Sequence, residues 1–332
     1  MPRSSDPIYL IDASVYIFRA FFSLPDSIKD SSGRSANVIY GFTDFLMRFR
    51  KVSGANRAAL CFDESLTTSF RNEIDPAYKA NRPEAPEDLK RQIHACKEVG
   101  KLMGFPVYAS PRYEADDLIG SLAQQLRSRE KGSRVCIVST DKDLLQVLKT
   151  GDEFWNFSKD ERFSGKLVPE KFGVEAHQVA DLLAITGDAV DNIQGLPGIG
   201  KTTAIALLKE FKTLDGLLQN LNRLKSHKMR GAARFYDIIS QNLDVLEKSR
   251  QLTLIESSLT VEKNLKQLTL RPPDLAGLEK FFQDLGIGQR LLARLSEDIS
   301  PKSSKKSSKK ASKKASKKAS KKASKKASKA RR

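Results

Sequence analysis

The chain has 332 residues, with 58 Lys and Arg against 40 Asp and Glu, and its formal net charge is +18. This length suits about two domains, and the excess of positive charge indicates a polyanionic partner such as nucleic acid. Three widely spaced cysteines argue against a disulfide framework or a zinc site, and no apolar run approaches a membrane span. We therefore expect a cytoplasmic protein without a membrane partner.

Short apolar runs alternate with helical patterns through the first half of the chain. The runs that predict buried strands are 7–12, 58–62, 105–109 and 134–139. Helical patterns over 86–103 and 114–130 lie between them, and crossovers of this length favour parallel strands. The sequence therefore predicts an α/β domain over 1–165, with a mostly parallel central sheet and helices on both faces.

The second half of the chain has a different character. From residue 166 to 298 the apolar residues recur at i, i+3 and i+4, which predicts a helical region. Residues 299–332 repeat Lys-Lys-Ala-Ser, and from 301 onward they hold fourteen Lys, two Arg and no acid. We expect this basic tail to be disordered and to tether the protein to DNA; a solubilising or localisation role is the alternative.

Acidic residues recur just after the predicted strands, where ligands of open α/β sheets gather. The nine candidates are Asp12, Asp63, Glu114, Asp116, Asp117, Asp141, Asp143, Asp188 and Asp191. Each one alone is as easily a helix cap. Nine carboxylates at one edge need cations, however, and oxygen ligands without nearby His or Cys favour Mg²⁺ or Mn²⁺ over zinc. Such a site suits two-metal hydrolysis of phosphodiesters.

Six segments occur in the order of the flap endonuclease / 5′-to-3′ exonuclease family. They are IDASVYIFRAFF, LCFDE, FRNEIDPAYKANRPEAPEDLKRQ, YEADDLIGSLA, VSTDKDLLQ and ITGDAVDNIQGLPGIGKTTA. Over about residues 6–290 the chain resembles the N-terminal 5′ nuclease domain of bacterial DNA polymerase I, here standing alone. The resemblance implies a PIN-like 5′ nuclease fold and two Mg²⁺ ions, for which Mn²⁺ can substitute.

The resemblance also gives the acids roles. Four are similar to the residues around the first metal ion: Asp12, Asp63, Glu114 and Asp116. Five are similar to those around the second: Asp117, Asp141, Asp143, Asp188 and Asp191. Whether each acid binds metal directly or through water stays open at this point.

Basic and aromatic residues accompany the acids. Residues 64–98 resemble the family's helical arch, in which Lys79 and Arg82 face the scissile phosphate as catalytic residues while Arg71 and Tyr78 contact DNA. Phe18 matches a position where an aromatic ring stacks on a base; packing in the protein core is the alternative.

The segment Gly195–Thr202, GLPGIGKT, satisfies the Walker A pattern of ATP-binding loops. It follows a helical pattern instead of a strand, and it also fits a helix-hairpin-helix (helix-3-turn-helix) element over 185–212. In that interpretation DNA contacts come from Gly198, Gly200, Lys201 and Thr202. The family resemblance adds a potassium ion held by carbonyls of Ile185, Thr186, Gln194, Leu196 and Ile199. GIGKTTA departs from the family's GIGxKTA, and Gln194 replaces a common Pro.

The sequence therefore predicts a Mg²⁺-dependent, structure-selective 5′ nuclease acting in replication and repair. Its expected partner is DNA with 5′ flaps or ends, including RNA-primed strands, and a monomer is expected. Two interpretations from other classes remain: a non-catalytic DNA-binding protein and a P-loop ATPase. A related nuclease fold acting on RNA is a further alternative.

Overall fold

A six-stranded sheet lies at the centre of the computed structural model, which describes residues 6–64 and 68–299. Its strands are β1 (Ile8–Asp12), β2 (Ala58–Asp63), β3 (Val107–Ser110), β4 (Val135–Val138), β5 (Glu153–Asn156) and β6 (Glu161–Ser164). The strand order is β3-β2-β1-β4-β5-β6, and all neighbours are parallel except β5 and β6. The predicted α/β class and the four predicted strands are confirmed.

The antiparallel pair β5–β6 was absent from the sequence prediction. Its strands read EFWN and ERFS, four residues each, and both mix charged and aromatic residues. β6 is an edge strand and β5 lies beside it, and neither has the continuous apolar run that marks a strand buried on both faces. A chain reversal containing Asp160, whose φ is +52°, joins them.

Helices cover both faces of the sheet and form the second half of the chain. They are α1 (Ala13–Ser23), α2 (Asn37–Ser53), α3 (Phe70–Ile74), α4 (Glu87–Leu102), α5 (Ala115–Arg129), α6 (Val168–Phe172), α7 (Val179–Thr186), α8 (Lys201–Phe211), α9 (Leu214–Gln219), α10 (Leu221–Lys225), α11 (Ala232–Gln241), α12 (Leu243–Thr253), α13 (Leu275–Leu285) and α14 (Gln289–Ile299). Within the described ranges, none of these helices has the length and apolar character needed to cross a membrane.

Alternate residues of β1 enter two separate cores because successive strand side chains point to opposite faces. Tyr9 and Ile11 pack with α1, α2, α4, α13 and α14. Ile8 and Leu10 pack with α5 and with the helices from α7 to α11. The helical region from α7 to α12 therefore covers part of the face that holds Ile8 and Leu10. The last two helices, α13 and α14, return to the opposite face.

The segment expected to form a helical arch is only partly helical in the described structure. Helix α3 and the start of α4 lie within it, while residues 75–86 form turns and irregular backbone. Hydrogen bonds tie these turns to the loop after α7: Lys79 N–H donates to the Asp191 carbonyl, and Asn81 to that of Ala189. The basic tail expected at 299–332 lies outside the described residues, apart from the end of α14.

Candidate active site

A cavity of about 300 Å³ opens at the carboxyl ends of β1, β2 and β4. Seven of the nine predicted acids line it: Asp12, Asp63, Glu114, Asp116, Asp141, Asp143 and Asp191. They come together because β1 lies between β2 and β4, so that residues following three neighbouring parallel strands share one edge. The sequence could place these residues at the ends of elements, and the strand order makes them neighbours.

Asp12 and Asp63 end adjacent strands, and both are held by hydrogen bonds. Asp12 is 4% exposed; it caps α1 and accepts a bond of 2.8 Å from the Ser139 hydroxyl. Asp63 accepts a bond of 2.8 Å from the N–H of Ala115, which fixes the start of α5 beside β2. Ser139 also accepts a bond from the N–H of Asp141. Ser139 was missed in the sequence, although its place between β4 and the TDKD motif is a usable clue.

The first turn of α5 brings two further acids into the cavity. Glu114 accepts hydrogen bonds from the hydroxyl of Tyr78, at 3.1 Å, and from Lys79 Nζ, at 2.8 Å. Burial raises the pKa of Glu114, but Lys79 and Arg71 outweigh it, so this pKa lies below its ordinary value. Asp116 has no such neighbour, and burial together with Asp141 raises its pKa well above the usual range.

The remaining acids of the cavity also raise one another's pKa values. Burial, with Asp63 as the next cause, raises the pKa of Asp12 to about 7. Burial and Asp141 raise the pKa of Asp143 to about 7. Asp188 does not line the cavity, yet its charge contributes to the raised pKa values of Asp141 and Asp143. Carboxylates that disfavour one another's ionisation indicate a site that requires positive charge.

Lys79 and Arg82 supply positive charge in the described structure. Lys79 Nζ lies 2.8 Å from Glu114 Oε2 and 3.6 Å from Asp191 Oδ2, and Arg82 forms an ion pair with Asp191. Burial lowers the pKa of Lys79, but Glu114 and Asp191 outweigh it and raise the pKa. The φ of Lys79 is +55°, a left-handed conformation that is costly for a lysine and concentrates at functional sites.

Asp117 and Arg71 are bound to each other in the described structure. Asp117 is fully buried and Arg71 is 3% exposed, and two bonds of 2.8 Å join them. The carboxylate of Asp117 also accepts from the N–H groups of Glu114 and Glu256. Both oxygens of Asp117 are therefore engaged within the protein, and Arg71 lines the cavity with its guanidinium bound to Asp117. The metal role of Asp117 and the DNA contact of Arg71 stay predictions.

Tyr78 is likewise held by contacts within the protein, and its expected contact with DNA stays a prediction. Its side chain was expected to contact DNA, but the residue is 4% exposed and packs against Ile193 and Leu252. Its hydroxyl donates to Glu114 or Asp191, whose oxygens lie at 3.1 and 3.2 Å. Tyr78 thus supports the wall of the cavity.

Phe18 lies on α1 at the mouth of the cavity and is only partly buried. Its ring stacks on Phe22, with 6.5 Å between centroids and 19° between planes. Phe22 is 80% exposed, a feature that its place in an aromatic stretch did not reveal. The position of Phe18 leaves a face available beside the acids, and base stacking by Phe18 stays a prediction.

The segment Gly195–Thr202 runs from the loop after α7 into the first turn of α8, so it follows a helix and a turn closed by a bridge between Asp188 and Ile193. A Walker A loop follows a strand, and the ATP-binding interpretation is therefore wrong for this fold. Gly198 has φ +76°, and a Cβ there would lie 2.9 Å from Arg234 Nη2. Gly200 begins α8 without a side-chain cap, and Lys201 and Thr202 are exposed on its first turn.

The five carbonyls expected to hold potassium belong to this same loop and its flanks. Three of them accept internal hydrogen bonds in the described structure. The carbonyl of Ile185 accepts from Leu196 N–H, that of Leu196 from Ile199 N–H, and that of Gln194 from the Ser249 hydroxyl. A carbonyl oxygen has two lone pairs, so these bonds leave one on each for another partner. The potassium site at Ile185, Thr186, Gln194, Leu196 and Ile199 stays a prediction.

The oxygen atoms that line the cavity are suitable ligands for hard divalent cations. Its charged acceptors are carboxylates, and neither histidine nor cysteine occurs among its described lining residues. No group of three potential ligands is already arranged around a metal position in the described part of the chain. The paired cations Lys79 and Arg82 lie among the acids instead. The carboxylate oxygens therefore suit Mg²⁺ as ligands, provided that Lys79 and Arg82 move away from the acids with which they pair.

Comparisons with known proteins agree with this geometry. The family model described as "5'-3' exonuclease, N-terminal resolvase-like domain" matches residues 7–173, and "5'-3' exonuclease, C-terminal SAM fold" matches residues 174–276. A 5'-3' exonuclease of Aquifex aeolicus is 36% identical over 278 residues, covering 84% of this chain and 91% of that protein. DNA polymerase I of Rhizobium leguminosarum is 33% identical over 90% of this chain, which spans 29% of that polymerase.

Solved structures share the fold at lower identity. T5 5'-exonuclease with bound zinc is 20% identical, with a TM-score of 0.60, and the match covers 88% of this chain and 98% of that one. The catalytic core of Rad2 in complex with DNA substrate is 18% identical, with a TM-score of 0.57, covering 88% and 93%. The resemblance and fold class expected from the sequence are thus confirmed: the chain belongs to the 5'-3' exonuclease family.

Proposed function

We propose that this nuclease uses Mg²⁺ to cleave DNA at 5′ flaps and 5′ ends, as a cytoplasmic, nucleoid-associated monomer. The observation that carries the proposal is the cavity in which seven carboxylates meet Lys79 and Arg82 at one sheet edge. Flaps that include RNA-primed strands would be substrates, in keeping with primer removal and repair. Structures of T5 D15 protein with metal ions, and of T5 D15 flap endonuclease with DNA and metal ions, support the general chemistry.

Eight acids would hold two Mg²⁺ ions, or Mn²⁺ in their place. Four belong to the first ion, directly or through water: Asp12, Asp63, Glu114 and Asp116. Four belong to the second: Asp141, Asp143, Asp188 and Asp191. When bound, such ions lower the pKa of water and stabilise charge on a scissile phosphate. The hydrogen bonds of Ser139 and Ala115 orient Asp12 and Asp63 for this task.

The side chains beside the acids would handle the DNA strand. Lys79 and Arg82 would leave their carboxylate partners for the scissile phosphate and stabilise the charge that develops there. The exposed face of Phe18 would stack on the adjacent base, a contact that tolerates any sequence. Because both contacts ignore base identity, the enzyme would select the structure of its substrate.

The turn before α8 would hold the duplex. Gly198 and Gly200 let the backbone approach a phosphate, while Lys201, Thr202 and the free N–H groups of the first turn add charge and donors. A potassium ion on the preceding carbonyls would strengthen this contact. Activity that rises when K⁺ replaces Na⁺ at equal ionic strength would support the ion, and equal activity would exclude a functional role for it.

The proposal is tested with a 5′-labelled flap, a blunt duplex and a single-stranded RNA, each incubated with the full chain. We expect Mg²⁺-dependent release of labelled products from the flap, loss of activity with EDTA, and little cleavage of the RNA. DNA binding without any cleavage in Mg²⁺ or Mn²⁺ would instead identify a non-catalytic binding protein.

Substituting Lys201 with alanine is expected to weaken duplex binding and to lower the slope of log affinity against log salt by about 1. One phosphate contact would be lost, while the acids remain untouched. Titrations of duplex DNA at several salt concentrations measure the slope. Lys209→Ala, farther along the same helix, is the matched control; equal slopes for the two variants would remove Lys201 from the DNA contact.

A further inference from the structure

The buried ion pair of Arg71 and Asp117 has a larger set of partners than an ion pair requires. Beyond its two bonds to Asp117, the Arg71 guanidinium donates to the carbonyls of Leu252, at 2.9 Å, and Leu254, at 2.8 Å. Asp117 in turn accepts from the N–H groups of Glu114, at 3.0 Å, and Glu256, at 2.9 Å. Four of the five N–H groups of Arg71 and both oxygens of Asp117 are thus used, and Arg71 Nη1 also lies 3.6 Å from Glu114 Oε2.

These partners belong to three separate parts of the fold. Arg71 lies on α3, before the turn that carries Lys79, while Asp117 lies on the first turn of α5 with Glu114 and Asp116. The carbonyls that Arg71 binds end α12, whose residues also contact α7 and the arch segment. One ion pair therefore joins the lysine-bearing segment, the acid-bearing helix and the helical region.

The energetics argue against stability as the main use of this pair. Removing two charges from water costs several kcal/mol per ion, and apolar replacements of buried pairs are often neutral or stabilising. An apolar pair would fill the same space, but it would not fix the direction of the Glu114 N–H or the end of α12. Compared with an apolar pair, Arg71 and Asp117 fix the orientation of the backbone groups to which they bind.

We propose that Arg71 and Asp117 act as positioning residues that hold Glu114 and Asp116 in register with Lys79 across the cavity. This inference rests on the proposed function, since it assigns those three residues to metal and phosphate. Loss of the pair would let the acids at the start of α5 shift relative to Lys79, which lies on the segment after α3. Partners of this kind contribute about 10–100-fold to metal affinity or activity.

The test uses the full chain and the double variant Arg71→Met/Asp117→Leu. We expect a folded protein that unfolds at a lower temperature than the wild type, because the carbonyls bound by Arg71 and the N–H groups bound by Asp117 lose these partners. Affinity for flap DNA without metal should be unchanged, and kcat should fall about 10–100-fold. Mn²⁺ binding, followed by calorimetry without DNA, should weaken over the same range. A folded double variant with wild-type kcat and Mn²⁺ affinity would overturn the inference.

The single variant Arg71→Lys covers the case in which the double variant does not fold. Lysine keeps the charge but cannot make the paired bonds and reach both carbonyls, so we expect kcat to fall at least about tenfold with KM unchanged. Wild-type kcat in this variant would also reject the role.

Arg57 and Glu130 provide the matched control, because they form a two-bond ion pair, at 2.6 and 2.9 Å, on the far edge of the sheet. Arg57→Met/Glu130→Leu should keep wild-type kcat; an equal loss there would mean that only general stability was measured. The wild type is assayed first: its failure to cleave would reject the proposed function itself, independently of the pair.

Discussion

Asp116→Asn is expected to lower flap cleavage by at least about 10³-fold, the upper range for loss of one preorganised electrostatic group. Asp116 lies among the acids that follow β1, β2 and β4. In the described structure Lys79 and Arg82 pair with Glu114 and Asp191, and neither forms an ion pair with Asp116. The amide keeps the shape of the side chain while removing the charge that a metal ion requires. Single-turnover cleavage of a labelled flap in Mg²⁺ measures the loss.

Binding must be measured beside cleavage, since the prediction separates the two. Affinity for flap DNA without metal should stay near that of the wild type, because the variant removes no positive charge. Asp160→Asn, in the exposed turn between β5 and β6, should leave both properties unchanged. Asp141→Ala is expected to behave as Asp116→Asn does, and substantial turnover in both variants would refute the metal-site assignment.

Lys79→Met is expected to lower kcat by about 10²–10³-fold, because it removes a cation proposed to stabilise the transition state. Methionine keeps an unbranched side chain of similar length, so the change tests the ammonium group. The substitution also releases Glu114 from its ion pair with Lys79, which leaves Glu114 freer to bind metal. We do not expect this gain to restore kcat. Rates at saturating flap DNA and Mg²⁺ provide the measurement.

Lys90→Met is the control for this prediction. Lys90 lies on the first turn of α4 and pairs with Glu84 and Glu87 on the outside of the protein. Exposed pairs of this kind contribute little to stability, so its removal should leave kcat near the wild-type value. Equal rates for Lys79→Met and the wild type would show that Lys79 has no catalytic role.

The sequence predicted the acid positions well because strand ends are local features. Asp12, Asp63 and Asp141 each follow an apolar run, and parallel strands carry such residues to one edge. The family motifs then ordered them along the chain. The strand order itself, with β1 between β2 and β4, depends on pairings distant in sequence and could not be derived from the runs alone.

The contacts of Arg71, Asp117 and Tyr78 show what the sequence could not indicate. Their residue types suit DNA or metal contact, but burial and pairing decide their roles, and Arg71 meets Asp117 across 46 positions of sequence. A motif can place Asp117 beside Asp116, yet successive residues of a helix point about 100° apart. Neighbours in sequence therefore serve different sites, one in the cavity and one in the protein interior.

The backbone and the side chain of Lys79 are held by different partners, so the position of the segment and the position of the ammonium group are fixed separately. The N–H is bound by the Asp191 carbonyl, while the ammonium group pairs with Glu114. A phosphate that competes for the ammonium group leaves the backbone bond in place. Exchange of partners then requires only rotation of a flexible four-carbon chain, so the segment can admit a substrate without first unfolding.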